Sequence, residues 1–75
     1  MKINKTLDCV GMFCPIPVAK TTIELEELKS GEILEVLADD PAAKKDFVLW
    51  CKNTENQLLD FKEEDGVFKF YIKKK

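Results

Sequence analysis

Three prolines and three glycines divide this chain, and their places leave few folds open. Pro15 and Pro17 cannot donate to a strand ladder, but both suit the first turn of a helix. Pro41 predicts the first position of a second helix, with Asp40 before it as N-cap. Gly11 sits in the loop ahead of the first helix. Ser30-Gly31 predicts that helix's end, since glycine accepts the left-handed turn required there. Glu64-Asp65-Gly66 carries the Asp-Gly signal of a tight hairpin.

The segments between these marks have clear periods. Ile3 to Leu7 alternates apolar and polar residues, which predicts a strand, followed by a loop from Asp8 to Phe13. Beyond Pro15, Val18, Thr22, Leu25 and Leu28 recur at helical spacing, while Lys20, Glu24 and Glu27 fall elsewhere on the wheel. Ile33 to Ala38 is short and apolar, as a central strand buried on both faces, or nearly so, would be. Ala43, Phe47 and Trp50 form the stripe of the second helix, with Cys51 beside it. Leu58 to Lys62 and Val67 to Lys73 predict two more strands. In the last, Phe68, Phe70 and Ile72 alternate with Lys69, Tyr71 and Lys73, giving one buried and one wet face.

The order is thus β-α-β-α-β-β. For 75 residues, the economical solution is a single α/β domain over 1–75. It is a two-layer sandwich, with a mixed four-stranded sheet and both helices on one face.

Composition excludes several functions. Hydrophobic residues make up 45% and charged residues 35%, so the chain is not of the disordered kind. No apolar run nears the ~20 residues of a membrane helix. The start, "MKINKTLD", lacks the apolar stretch of a signal peptide, and a cytoplasmic location is expected. Net charge is -2 and histidine is absent. Every basic residue is a lysine, which argues against bidentate phosphate or base-edge recognition. The tail Lys73-Lys74-Lys75 reads as a solvated end, and Tyr71 alone offers an exposed aromatic on the open sheet face. No direct nucleic-acid partner is expected. Without histidine, Ser-His, Cys-His and His-metal designs are excluded within one chain.

Three cysteines, Cys9, Cys14 and Cys51, are an odd number for a disulfide framework. Cys14 stands directly before Pro15, so it falls at or next to the N-cap of the first helix. There the helix dipole and free N–H groups stabilise a thiolate and lower its pKa. Pro17 has no N–H, which leaves Ile16 as the expected donor to the sulfur. The prolines fix the thiol's direction, and Gly11 lets the loop fold around it. A preset, exposed thiolate without a general base suits thiol exchange better than hydrolysis. It can take a sulfane sulfur, hold it as a persulfide and pass it on.

The stretch "LDCVGMFCPIP", Leu7 to Pro17, resembles the signature of the TusA/SirA-like sulfur-carrier proteins, with Leu-Asp, then Gly, then Cys-Pro-x-Pro. "GEILEV" from Gly31, "DDP" from Asp39 and the terminal hairpin are similar too. The resemblance implies a two-layer α/β sandwich and a sulfurtransferase whose persulfide sits on Cys14, with Pro15 and Pro17 as motif prolines. It implies two protein partners, a cysteine desulfurase or rhodanese-like donor and an acceptor. Pathways it allows include tRNA thiolation, molybdenum cofactor assembly, sulfur oxidation and thiosulfate uptake. One departure is visible. Many members carry a Gly-His pair after the second helix, and here Glu55 and Asn56 take those positions.

Other candidates have more than one reading. Cys9 either resolves a persulfide by forming a disulfide, serves as a second sulfur site, or packs as a small residue under the loop. Cys51 reads as core. The three thiols lack a Cys-x-x-Cys pair and a fourth ligand, so no metal is expected. Met12 and Phe13 either form an apolar landing patch for a partner or anchor the loop. Lys20 either stabilises a persulfide anion or is simply solvated. Asp39 and Asp40 look like a paired carboxylate site, though capping explains Asp40 more simply. No dissociable cofactor is called for, and a monomer is expected. The competing function is a regulatory or interaction module that keeps the fold without turnover.

Overall fold

The structure, a computed structural model, describes residues 2–75. Its elements are β1 (Lys5–Cys9), α1 (Ile16–Glu26), β2 (Ile33–Ala38), α2 (Ala43–Thr54), β3 (Gln57–Glu64) and β4 (Val67–Lys73). The sheet order is β1-β2-β4-β3. The β1–β2 pair is parallel and the other two pairs are antiparallel. Both helices pack on one face, as the periodicities predict. Leu25, Ala43, Phe47 and Cys51 from the helices meet Cys9, Leu34, Val36, Ala38, Phe70 and Ile72 from the sheet.

β1 runs two residues later than its alternation suggested. Leu7 pairs with Val36 and Cys9 with Ala38, while Ile3 is 39% exposed. Cys9 therefore ends a strand on the core face and does not belong to the loop. Lys5 shares that face at the sheet edge. Its apolar stem covers the edge, and its ammonium reaches Glu24 and Glu27 of α1.

α1 has Pro15 as its N-cap and stops at Glu26, well before Ser30-Gly31. Its last turn tightens, with Glu27 N–H donating to Glu24 and Leu28 N–H to Leu25. The buried stripe is Pro17, Thr21 and Leu25, so Thr21 replaces the expected Thr22. Thr21 is tolerated there because its hydroxyl donates to the Pro17 carbonyl at 2.8 Å. Gly31 keeps a positive φ of 87°, but it serves the entry to β2, where its N–H donates to the Lys74 carbonyl.

In β2, Leu34, Val36 and Ala38 are buried and the alternating residues half-buried. α2 begins two residues later than Pro41 implied, with Ala42 as N-cap. A turn precedes it. Asp40 Oδ1 accepts from Ala42 N–H at 3.1 Å, and the Asp40 carbonyl accepts from Ala43 at 2.9 Å. The inward stripe is Ala43, Phe47 and Cys51, and Trp50 flanks it as a half-buried neighbour.

β3 is longer than expected and carries a bulge between Leu58 and Asp60. The extra residue lets Leu58 oppose Ile72 and Phe61 oppose Phe70. Two residues three apart thus serve one face. At the hairpin, Asp65 and Gly66 both have positive φ, 51° and 79°, which makes the two-residue turn type I′. On the outer face Tyr71 is only 6% exposed. Lys62 Nζ lies 5.6 Å from its ring centroid. The Glu35 carboxylate accepts from its hydroxyl and pushes its pKa up to about 12. The open sheet face therefore lacks the exposed aromatic that Tyr71 was expected to provide.

Candidate functional site

Because β1 and β2 are parallel, both helices begin at the same edge of the sheet. The β1–α1 loop and the β2–α2 loop therefore lie side by side. The first carries Cys14, and the second carries Asp39 and Asp40.

The two carboxylates grip the main chain of the thiol loop. Asp39 Oδ1 accepts from Gly11 N–H at 2.9 Å, and Asp40 Oδ2 accepts from Cys14 N–H at 2.8 Å. These two bonds, with the Asp40 Oδ1 and carbonyl contacts to Ala42 and Ala43, tie the loop to the start of α2. The Cys14 and Ala42 N–H groups hold the Asp40 carboxyl below the usual carboxylate range. Within the loop, Met12 N–H donates to the Cys9 carbonyl at 3.1 Å and Val10 N–H to Asp8 Oδ1 at 2.9 Å. Gly11 has φ 85°, and nothing lies within 4 Å of where its Cβ would be. Backbone conformation, not crowding, is what calls for glycine there.

Cys14 is exposed and unpaired, while Cys9 and Cys51 are unpaired and buried. The Cys14–Pro15 peptide is cis. Two expectations about this thiol are corrected. Ile16 N–H donates to the Phe13 carbonyl at 2.9 Å, and α1 has no side-chain cap bond, so Ile16 does not serve the sulfur. The thiol pKa is raised, not lowered. Asp46 in the first turn of α2 is the main cause, as acceptor for the S–H and as a negative charge, with Asp40 adding to it. These carboxylates outweigh the dipole of a helix whose first N–H groups point elsewhere. The Asp46 carboxylate therefore opposes ionisation of the thiol. Asp46 Oδ2 is buried without a hydrogen-bond partner of its own.

Removing that charge should free the thiol. Asp46→Asn is expected to react faster with iodoacetamide at neutral pH than the native chain. The difference should close as pH rises past the ordinary thiol value of 9.0. Superimposable pH–rate curves would show that Asp46 does not act on Cys14.

The other candidates separate. Cys9 is fully buried, and desolvation is the main cause of its raised pKa. Cys51 is pushed up to about 11 by burial alone. Lys20 is exposed on α1. Its charge acts on Cys9, while the charges acting on Cys14 are both acidic. Met12 is half-buried against the core and anchors the loop. Phe13 is 73% exposed and Ile16 46%, so apolar surface flanks the thiol on both sides. Pro17 is buried in the α1 stripe. Glu55 holds φ 63° at the C-cap of α2, a left-handed position that glycine fills without strain. Asn56 accepts from Lys75 N–H at 2.9 Å.

Asp46 escaped the sequence reading because an acidic residue in a first helical turn is ordinary dipole compensation. The parallel β1–β2 pair was the signal that could have found it, since it sets the start of α2 against Cys14.

Comparison with known proteins agrees with this architecture. The family described as sulfurtransferase TusA matches residues 5–74. The sulfur carrier protein TusA of Allochromatium vinosum is 42% identical over 71 residues, covering 95% of this chain and 93% of its own. YrkI of Bacillus subtilis is 43% identical over 74 residues, with 99% of both chains covered. Among solved structures, a SirA-like protein from Desulfitobacterium hafniense superposes with a TM-score of 0.82 at 30% identity, covering 92% of this chain and 95% of that one. The chain belongs to the TusA family of sulfurtransferases and sulfur carriers.

Proposed function

We propose that Cys14 carries a sulfane sulfur as a persulfide between two partner proteins. The observation that carries this reading is the contrast among the three thiols. One is exposed, held by two carboxylates through its own loop, and flanked by apolar surface. The other two are sealed in the core.

The chemistry follows from the placement. Cys14 first loses its proton to solvent, against the opposing charge of Asp46. The thiolate attacks the outer sulfur of a donor persulfide. The donor S–S bond breaks, a new S–S bond forms on Cys14, and the donor cysteine leaves as thiolate. Sulfur changes owner without net oxidation. A thiolate of the acceptor repeats the same displacement on Cys14 and leaves it reduced. Until the donor arrives, the raised pKa keeps the empty carrier largely as thiol, the form less prone to oxidation. No deep pocket is needed, because the substrate is a sulfur atom delivered on another protein.

Intact mass spectrometry tests the proposal. The reduced chain is incubated with a cysteine desulfurase and cysteine, or with thiosulfate-fed rhodanese. A gain of one sulfur atom, mapped to the peptide holding Cys14 and removed by dithiothreitol, is the expected result. No adduct from either donor would favour the interaction-module reading.

A further inference from the structure

The outward face of α2 has no role in the carrier chemistry, yet its surface is distinctive. Val48 and Leu49 are 50% and 54% exposed. With Pro41, Lys44, Lys45 and Lys52 they line an open groove of about 620 Å³. Among the described residues none of these three lysines forms an ion pair. Lys44 Nζ instead lies 4.8 Å from the centroid of the Phe61 ring. The chain as a whole is acidic, with net charge -2, so the cluster runs against the overall charge.

One end of the groove lies at the loop that precedes α2. Its Pro41 end adjoins Asp40, whose carboxylate holds the Cys14 N–H. A segment resting along the groove reaches, at its Pro41 end, the loop whose Asp40 holds the Cys14 N–H.

We infer that this groove is the docking site for an acidic segment of a sulfur-transfer partner, with apolar side chains seated on Val48 and Leu49 and carboxylates facing Lys44, Lys45 and Lys52. This inference rests on the carrier reading above. Charge complementarity selects the occupant. Three lysines without carboxylates ask for negative charge, and the apolar pair between them asks for apolar side chains. A nucleic acid would meet neither arginine nor a stacking aromatic in the groove. A membrane would find only two exposed apolar residues, because Ala43, Phe47 and Cys51 of the same helix face the core.

Two measurements test the inference, and the first does not depend on sulfur transfer. Isotope-labelled protein is titrated with a helical peptide of leucines flanked by glutamates, and its amide shifts are followed by NMR. Phosphatidylglycerol vesicles, oligouridylate and a lysine-for-glutamate peptide serve as comparison probes. Shifts centred on residues 41–52, and binding weakened about tenfold by molar salt, are expected with the acidic peptide. No shift there, or tighter binding of vesicles or RNA, overturns the inference.

The second measurement compares Cys14 loading by a desulfurase with loading by free polysulfide. The double variant Lys45→Glu, Lys52→Glu should lose about tenfold in desulfurase-fed loading, from a slower encounter. Its polysulfide loading should be unchanged. Equal losses with both donors, or none with the desulfurase, overturn the inference. If the native chain loads from neither donor, the carrier reading itself has failed, and the peptide titration alone decides the groove.

Discussion

Cys14→Ser is expected to take up no sulfur at all from a donor that loads the native chain. In the proposed mechanism the exchanged atom is the nucleophile, and a serine hydroxyl does not attack sulfane sulfur at neutral pH. The side chain is exposed, and the bonds that hold its loop use backbone N–H groups. Stability should therefore change by no more than about 0.5 kcal/mol. Unfolding curves beside the loading assay separate lost chemistry from lost structure. Controls at the other thiols complete the test. Cys9→Ala and Cys51→Ala should keep full loading, because both sulfurs are buried in the core. Alanine suits these controls better than serine, since a buried hydroxyl without a partner costs about 1–3 kcal/mol. If Cys9→Ala folded but lost loading, Cys9 and Cys14 would be working as a pair.

The largest effect on stability is expected at Phe47. This ring is fully buried, sits 4.6 Å from the centroid of Phe70 and meets Trp50 edge-on at 6.2 Å. Phe47→Ala should cost about 3–5 kcal/mol through lost transfer energy and the cavity left behind. At about 0.05–0.15 kcal/mol per residue, a domain of this size holds only about 4–11 kcal/mol. The variant should melt at least about 12 °C lower and could be largely unfolded at body temperature. Circular dichroism gives the transition, and the fluorescence of Trp50 reports the same packing locally. A loss below about 1 kcal/mol would mean that the core collapses to fill the space.

Much of the fold was readable in the residues. The Asp-Gly turn, the alternation of β4 and the two proline-led helices each had one inexpensive local solution, and they agree with one another. Boundaries were read less well, because they depend on partners. β1 slid toward Cys9 because β2 supplied pairing as far as Ala38. α1 stopped early because its last turn tightened and the chain left for β2. The bulge at Leu58/Asp60 follows from the demand of one core for both Leu58 and Phe61, which no single-strand period reveals. At the site, the exposed thiol was legible from its prolines. Its electrostatics were not, because they come from α2, thirty-two residues further on at Asp46. A helix dipole is a property of one element, whereas the balance of charge at Cys14 belongs to two loops brought together by the sheet.

The grip of Asp39 and Asp40 on the thiol loop has a consequence for how such a carrier can change. Both carboxylates hold main-chain N–H groups, which every residue except proline supplies. The posture of the sulfur is thus indifferent to which side chains decorate the loop. Phe13 and Ile16 can be exchanged for other side chains without disturbing the bonds that place the Cys14 sulfur. On the proposed carrier reading, the exposed side chains of this loop are free to vary with the partner while the main-chain grip on the thiol is kept.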